Sequence, residues 1–261
     1  MLLCAIFVRG CRVKPMTVMW FSAGVSSAVA TWLMRDRIDR LIYIHIDDQE
    51  EDTLRFLEDC ERWWGRKVER LQSPLKCVEN ACRFRCYVNG VRGAACTRML
   101  KREVRKQWEA ETMFFNRFEY VWGLDATETK RCASRRNEMP DHDHAFPLVD
   151  HGVTKESAHG ILARAGVRRP RMYDLGFPNN NCRGCLKGGK GYWNLIRKVW
   201  PDVFALRAQT ERLIGGTALH DKNGPIYLDE LDPNAGRDDG PIVAECGVAC
   251  EASKEDQHGN D

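Results

Sequence analysis

At 261 residues with 43% hydrophobic content, the chain is long enough to bury a sizeable core and reads as globular, either one large α/β domain or two small ones. Its 40 basic and 37 acidic residues leave a formal charge of +3, which argues against a general electrostatic nucleic-acid binder while leaving room for a local basic face. No apolar run reaches the ~18 residues of a membrane span, and twelve cysteines in a chain of this length, with no export signal, read as thiols and metal ligands of a reducing compartment, the cytoplasm by default.

Met1–Val8 is apolar but short, and Arg9, Arg12 and Lys14 follow it, the wrong order for a secretory signal. Met1–Pro15 therefore reads as an N-terminal extension, with an α/β domain over 16–214 and a flexible tail over 215–261. Thr17–Phe21 predicts a strand, Ser22–Ser27 a small-residue turn, and Val29, Trp32 and Leu33 a helix. A second strand, Leu41–Ile46, closes on Asp47-Asp48 and precedes a helix with Phe56, Leu57, Cys60 and Trp64 on one face, ended by Gly65. With a third strand at Lys67–Leu71, the alternation predicts a mostly parallel twisted sheet with helices on both faces.

Asn80–Ala95 has no clear period and predicts an irregular excursion holding Cys82 and Cys86. Thr97–Glu111 predicts a helix, with Leu100, Val104 and Trp108 inward and Arg98, Lys101, Arg102 and Arg105 around the rest. A fourth strand at Glu119–Trp122 runs into Gly123–Thr129 and the basic Lys130, Arg131, Arg135 and Arg136. Ala145–Val149 predicts a fifth strand, Thr154 caps a helix that buries Ile161 and Leu162, and Gly166 stops it. Tyr192–Trp200 and Asp202–Leu213 are helices separated at Pro201, and beyond Gly215 periodicity disappears.

The most informative run is the cysteine turn, 176–193, in which Cys182 and Cys185 stand at C-x-x-C spacing among glycines and lysines. Two thiolates are half of a tetrahedral zinc or iron–sulfur set, so partners are needed. Cys96 is the leading one, since a helix N-terminus favours thiolate; Cys82, Cys86 or Cys250 could complete the set, and Cys60, Cys77 and Cys132 read as small buried residues. Ser22–Ser27 at a strand-to-helix turn offers hydroxyls and backbone N–H groups suited to phosphate. Asp47 and Asp48 stand where a carboxylate meets a ribose hydroxyl or Mg2+, and Glu128 with its arginines could orient an anionic nucleotide. His142, His144 and His151 read as surface polar groups.

Taken together, these residues resemble the PAPS reductase family, within the PP-loop group of adenine-nucleotide α-hydrolases, over roughly residues 16–213 and a short C-terminal element. Phe21–Ser27 is similar to the family's S-G-G-x-D-S pyrophosphate loop, departing from it at Ala23 and Ser26. Glu51–Phe56 resembles the segment after the second strand, Cys96–Lys101 the cysteine-led helix, Gly123–Arg131 the G-x-x-A-x-E-[ST] motif, and Pro147-Leu148 with the Thr154 helix also matches. Iron–sulfur adenylyl-sulfate reductases pair a Cys-Cys dipeptide with a distant C-x-x-C; the similar positions here are Ala95-Cys96 and Cys182/Cys185, one ligand short. Glu245-Cys246-Gly247-Val248 resembles the E-C-G-[LI]-H tail of the nucleophile, with Ala249 in place of the histidine.

The resemblance implies an enzyme acting on an adenine nucleotide in sulfur chemistry. Ser22, Gly24, Ser26 and Ser27 would hold phosphate or sulfate oxygens, Asp47 and Glu128 ribose or Mg2+, and Arg131 and Arg135 the anion's charge. Cys96, Cys182 and Cys185 would bind a [4Fe-4S] cluster, with zinc as the inorganic alternative, and Cys246 would attack adenylyl sulfate or PAPS, releasing sulfite with a thioredoxin-like reductant. Two alternatives stay open. One is ATP-dependent thiolation of a nucleobase by a three-cysteine cluster, in which the basic helix after Cys96 and Lys187, Lys190, Arg197 and Lys198 would contact nucleic acid; the other is a non-catalytic nucleotide- or zinc-binding module.

Overall fold

The computed structural model describes residues 14–112, 117–237 and 242, so most of the expected N-terminal extension and both tail cysteines, Cys246 and Cys250, lie outside the described residues. Five strands form an all-parallel sheet in the order β3-β2-β1-β4-β5: β1 (Met16–Phe21), β2 (Arg40–His45), β3 (Glu69–Gln72), β4 (Phe118–Val121) and β5 (Asp143–Ala145). Strand alternation divides the side chains between two layers. Met19, Phe21, Leu41, Tyr43 and Val121 face one core, packed by α1 (Val25–Met34), α2 (Asp52–Trp64) and residues of the later helices, while Val18, Ile42, Phe118 and Tyr120 face the other. There Trp20 meets Trp108 edge-on at 5.4 Å between ring centroids.

Cysteine-bearing segments build a second core beyond the carboxyl end of β2. It gathers α3 (Val78–Arg85), a helical run composed of α4 (Ala95–Thr97), a π turn (Arg98–Arg102) and α5 (Glu103–Glu111), and later α10 (Lys190–Val199) and α11 (Pro201–Ile214). Between β4 and α10 run α6 (Thr129–Glu138), α7 (Pro147–Asp150), α8 (Lys155–Arg164) and α9 (Arg171–Asp174). Thr154 caps α8 by accepting from Ser157 N at 3.1 Å, and Gly65 and Gly166 take left-handed φ of 67° and 71° where their helices stop.

Five expectations are corrected. Residues 78–85 are helical, not irregular, because the Asp48 carboxylate accepts from Val78 N at 2.6 Å and Cys77 Sγ from Asn80 N at 3.5 Å, capping a start that carries no standard cap residue. Cys77 is thus a half-buried cap, whereas Cys60 and Cys132 are buried as expected. The fifth strand is Asp143–Ala145, since Pro147 opens α7. Gly215 does not begin a flexible tail over its first two dozen residues: β6 (Leu219–Asp221) and β7 (Gly224–Ile226) form a hairpin, and Leu219, Leu228 and Leu231 are buried against the second core. Lastly, His142 and His144 are half-buried in aromatic contacts, His142 accepting from Phe118 N at 3.2 Å and His144 from Trp122 Nε1 at 3.0 Å.

Candidate functional site

The chain runs outward from β1 to β2 and β3, then returns to β4 and β5 on the other side. In open parallel sheets, ligands occupy the crevice beyond the carboxyl ends of the strands where that reversal occurs. Here the crevice is walled by Ser22–Ser27 after β1 and by the Gly123–Glu128 loop after β4. Ala23 takes a left-handed φ of 57°, and Gly24 is extended as it enters α1. Ser22 Oγ donates to Ser27 Oγ at 2.9 Å and Ser27 Oγ to the Gly24 carbonyl at 2.9 Å, fixing the loop's shape. The first turn of α1 has no acidic residue, so its positive end is open to an anion.

Ser22 is exposed and Gly24 and Ser26 are half-buried, while Ser27 is packed beneath. A Cβ on Gly123 would stand 2.5 Å from Ser27 Cα, so only glycine lets the two loops meet. Glu128 is drawn into its own loop, accepting from Asp125 N at 3.1 Å and pairing with Arg131. Arg135 pairs with Glu138 at 2.8 Å and lies over the Trp122 ring, one turn further from the crevice. Asp47, exposed at the end of β2, accepts from Gln72 Nε2 at 2.6 Å.

The thiols lie on the β2 side of this crevice. Cys182 forms an antiparallel bridge with Gln49, and Arg183 N donates to the Asp48 carbonyl at 2.8 Å, which docks the cysteine turn on the segment after β2. Tyr192 Oη donates to the Cys182 carbonyl at 2.8 Å and accepts from Cys185 N at 2.8 Å, holding the C-x-x-C turn closed from within. Burial pushes the Cys182 thiol up to about 12, with Lys101 pulling it down and Cys185, Asp48 and Cys96 adding to the rise. Burial also raises the Cys96 thiol, with Cys185 adding to the rise and Lys101 and Lys187 opposing it. The helix N-terminus expected to favour a Cys96 thiolate is a three-residue turn, and burial outweighs it.

Cys96 and Cys182 thus pack on the same second core, Cys185 follows in the cysteine turn, and all eight cysteines among the described residues are free thiols. Among those residues no three Cys, His, Asp or Glu side chains are placed to hold a metal ion as they stand. Neutral thiols have no attraction drawing them onto one point; a cation that deprotonates them supplies it. An all-sulfur donor set with Lys101 and Lys187 beside it fits zinc or an iron–sulfur cluster, both of which bind thiolates and leave a net negative charge.

Three participants were not picked out from the sequence. Asn180 and Tyr173 tie the two halves together: the Asn180 amide donates to the Ala23 carbonyl at 2.7 Å, and Tyr173 Oη accepts from Val25 N at 3.3 Å. Arg207, 2% exposed on α11, pairs with Asp48, which turns that aspartate from a nucleotide candidate into an internal brace. Asn180 sits in a triplet of asparagines that reads only as a turn, and nothing in the α11 pattern marks Arg207 as inward.

No known protein-family model matches the chain, and none of the curated proteins matches it significantly. No helix among the described residues is long and apolar enough to cross a membrane.

Proposed function

We propose that the chain is a PAPS reductase-like enzyme that acts on an adenine nucleotide in sulfur chemistry. The observation that carries this reading is the Asn180 bridge, whose amide ties the small-residue loop at the sheet's reversal point to the segment leading into the thiol turn. A phosphate-type loop alone suits many nucleotide binders, and a C-x-x-C turn alone suits structural metal. Joined at this range, they favour a substrate with a nucleotide at one end and sulfur at the other.

The α1 N-terminus would hold the phosphate–sulfate oxygens, while Lys101 and Lys187 beside the thiols add positive charge. Thiolate-bound metal at the cysteine turn would supply local electrostatics and redox capacity. Cys246 lies outside the described residues, but Ile242 is anchored: Arg169 Nη1 donates to its carbonyl at 2.8 Å, and its side chain packs on the core that contains Val25 and Tyr173.

In the step proposed, the Cys246 thiolate forms an S–S bond to the sulfur of adenylyl sulfate or its 3′-phosphate. The S–O bond to phosphate breaks and AMP or its 3′-phosphate leaves. A dithiol protein of the thioredoxin type then attacks Cys246 Sγ, sulfite departs with the electron pair, and the two thiols finish as a disulfide, balancing the two-electron reduction. The deciding variant is Cys246→Ser: nucleotide binding is retained and sulfite release abolished, whereas full sulfite release from this variant overturns the mechanism.

The exposed Arg98, Lys101, Arg102 and Lys187 near Cys96 favour a second reading, thiolation of a nucleic acid with ATP, over a simple binding module. It predicts ATP turnover without sulfite and copurifying RNA or DNA.

A further inference from the structure

The trio of Cys96, Cys182 and Cys185 is one thiol short of the four that close a tetrahedral zinc site or ligate every iron of a four-iron cluster. Three cysteines outside the trio compete for the place, and their positions separate them. Cys86 ends α3 in a left-handed conformation with φ of 46°, exposed, its Sγ turned back on the Arg83 carbonyl at 3.5 Å. Cys77 Sγ caps the other end of α3. Cys82 lies on the inward face of that helix, 1% exposed, in the core against which Cys96 and Cys182 pack.

The second observation is independent of the cysteines. Arg207 is 2% exposed, its Nη2 pairs with Asp48, and its Nε and Nη1 have no hydrogen-bond partner. Buried guanidinium donors are satisfied as a rule, and an orphaned pair costs on the order of a few kcal/mol. The guanidinium lies beside the backbone of the Cys182–Cys185 turn: a Cβ on Gly184 would stand 3.3 Å from Arg207 Nε. A buried cation with free donors beside the C-x-x-C turn suits an anionic group there, and four thiolates around zinc or a [4Fe-4S]2+ core carry a net charge of about −2.

We propose that Cys82 is the fourth thiol, completing a set with Cys96, Cys182 and Cys185, and that Arg207 donates to the metal-loaded set as its buried counter-charge. The inference rests on the thiol-site reading above and fixes what that reading leaves open. A set closed by Cys82 comes from three separate segments, α3, the start of the π-turned helix and the cysteine turn. Metal would therefore cross-link the second core as well as equip the site. A fully ligated cluster offers no open iron to carry sulfide, so the same assignment disfavours the thiolation reading.

The test uses the full chain purified anaerobically, with iron, sulfide and zinc content, visible absorbance and the EPR spectrum of the dithionite-reduced protein as readouts. Cys82→Ser, Cys82→Ala, Cys86→Ser, Cys250→Ser and Arg207→Met are compared with the parent, and circular dichroism confirms that each is folded. Cys82→Ala keeps a small apolar residue in the core if serine disturbs folding. The inference expects the parent loaded, Cys86→Ser and Cys250→Ser unchanged, and both Cys82 variants losing most of their metal or converting to a three-iron signal. For Arg207→Met it expects lower metal retention and, where iron is bound, a lower reduction potential, because removing a cation favours the oxidised cluster. A loaded parent whose folded Cys82 variants are equally loaded overturns this inference alone. A parent with neither iron nor zinc overturns the thiol-site reading and this inference with it.

Discussion

The Asn180 side-chain amide reaches from two residues before Cys182 to the Ala23 carbonyl, 2.7 Å away, and to Thr53 Oγ1 at 3.3 Å. Loop, α2 and cysteine turn are therefore held by one side chain that is itself 7% exposed. Asn180→Ala leaves the Ala23 carbonyl and the Thr53 hydroxyl short of a partner, and such losses cost about 1–3 kcal/mol. Denaturant unfolding should show a loss of that size together with weaker nucleotide binding; unchanged nucleotide affinity would separate the two halves of the site.

Ala23 is fully buried with a φ of 57°, a conformation in which a side chain costs about 1–2 kcal/mol. Ala23→Gly relieves that strain and adds unfolded-state freedom, so a net gain below about 1 kcal/mol is expected. Thermal unfolding measures it. Ala23→Val should instead lose several degrees, and equal melting of the three proteins would contradict a strained loop.

Gly123 meets Ser27 with no room for a side chain, since its Cβ would lie 2.5 Å from Ser27 Cα and 2.9 Å from Ser27 N. Backbone cannot swing aside as a flexible side chain can. Gly123→Ala should destabilise the fold by about 1–3 kcal/mol and reduce nucleotide affinity further than the stability loss explains. Binding titrations at a temperature where the variant is fully folded decide this.

Much of the sheet was legible because β1, β2 and β4 are short, largely apolar runs buried on both faces, and because Phe56, Leu57, Cys60 and Trp64 repeat with helical spacing before Gly65. What escaped depends on contacts made late in the chain. Helix α3 is capped by Asp48, thirty residues upstream of Val78, which local pattern cannot reveal. The hairpin of β6 and β7 was hidden by glycine- and aspartate-rich composition, although Asn223-Gly224 between Leu219 and Ile226 is a turn signal that would have found it. Of the candidate site, Cys182 and Cys185 stand out by their C-x-x-C spacing and Cys96 by its place at a helix start, whereas Asn180, Tyr173 and Arg207 act through tertiary contacts that no motif announces.

Glu211 gives the second core a pH signature. It is 1% exposed, and burial pushes its carboxyl up to about 7 although the backbone N–H groups of Ala218 and Leu228 donate to it at 2.6 and 2.7 Å. A raised carboxyl favours folding fully below its unfolded value of 4.5, and that contribution is lost as pH rises through about 7. The full shift corresponds to about 3 kcal/mol. Unfolding free energies at pH 5 and pH 8 should fall for the parent relative to Glu211→Gln, which cannot titrate. A parent that gains on the variant as pH rises would contradict the assignment.

The most direct measurement is equilibrium binding of adenylyl sulfate, PAPS, ATP and AMP to the full chain under anaerobic conditions, by calorimetry. The account predicts that a sulfonucleotide binds, that AMP competes with it, and that Gly123→Ala and Asn180→Ala each weaken the interaction while Cys246→Ser does not. Absence of binding by all four nucleotides to a folded, metal-loaded chain would contradict the claim that the crevice between β1 and β4 is an adenine-nucleotide site.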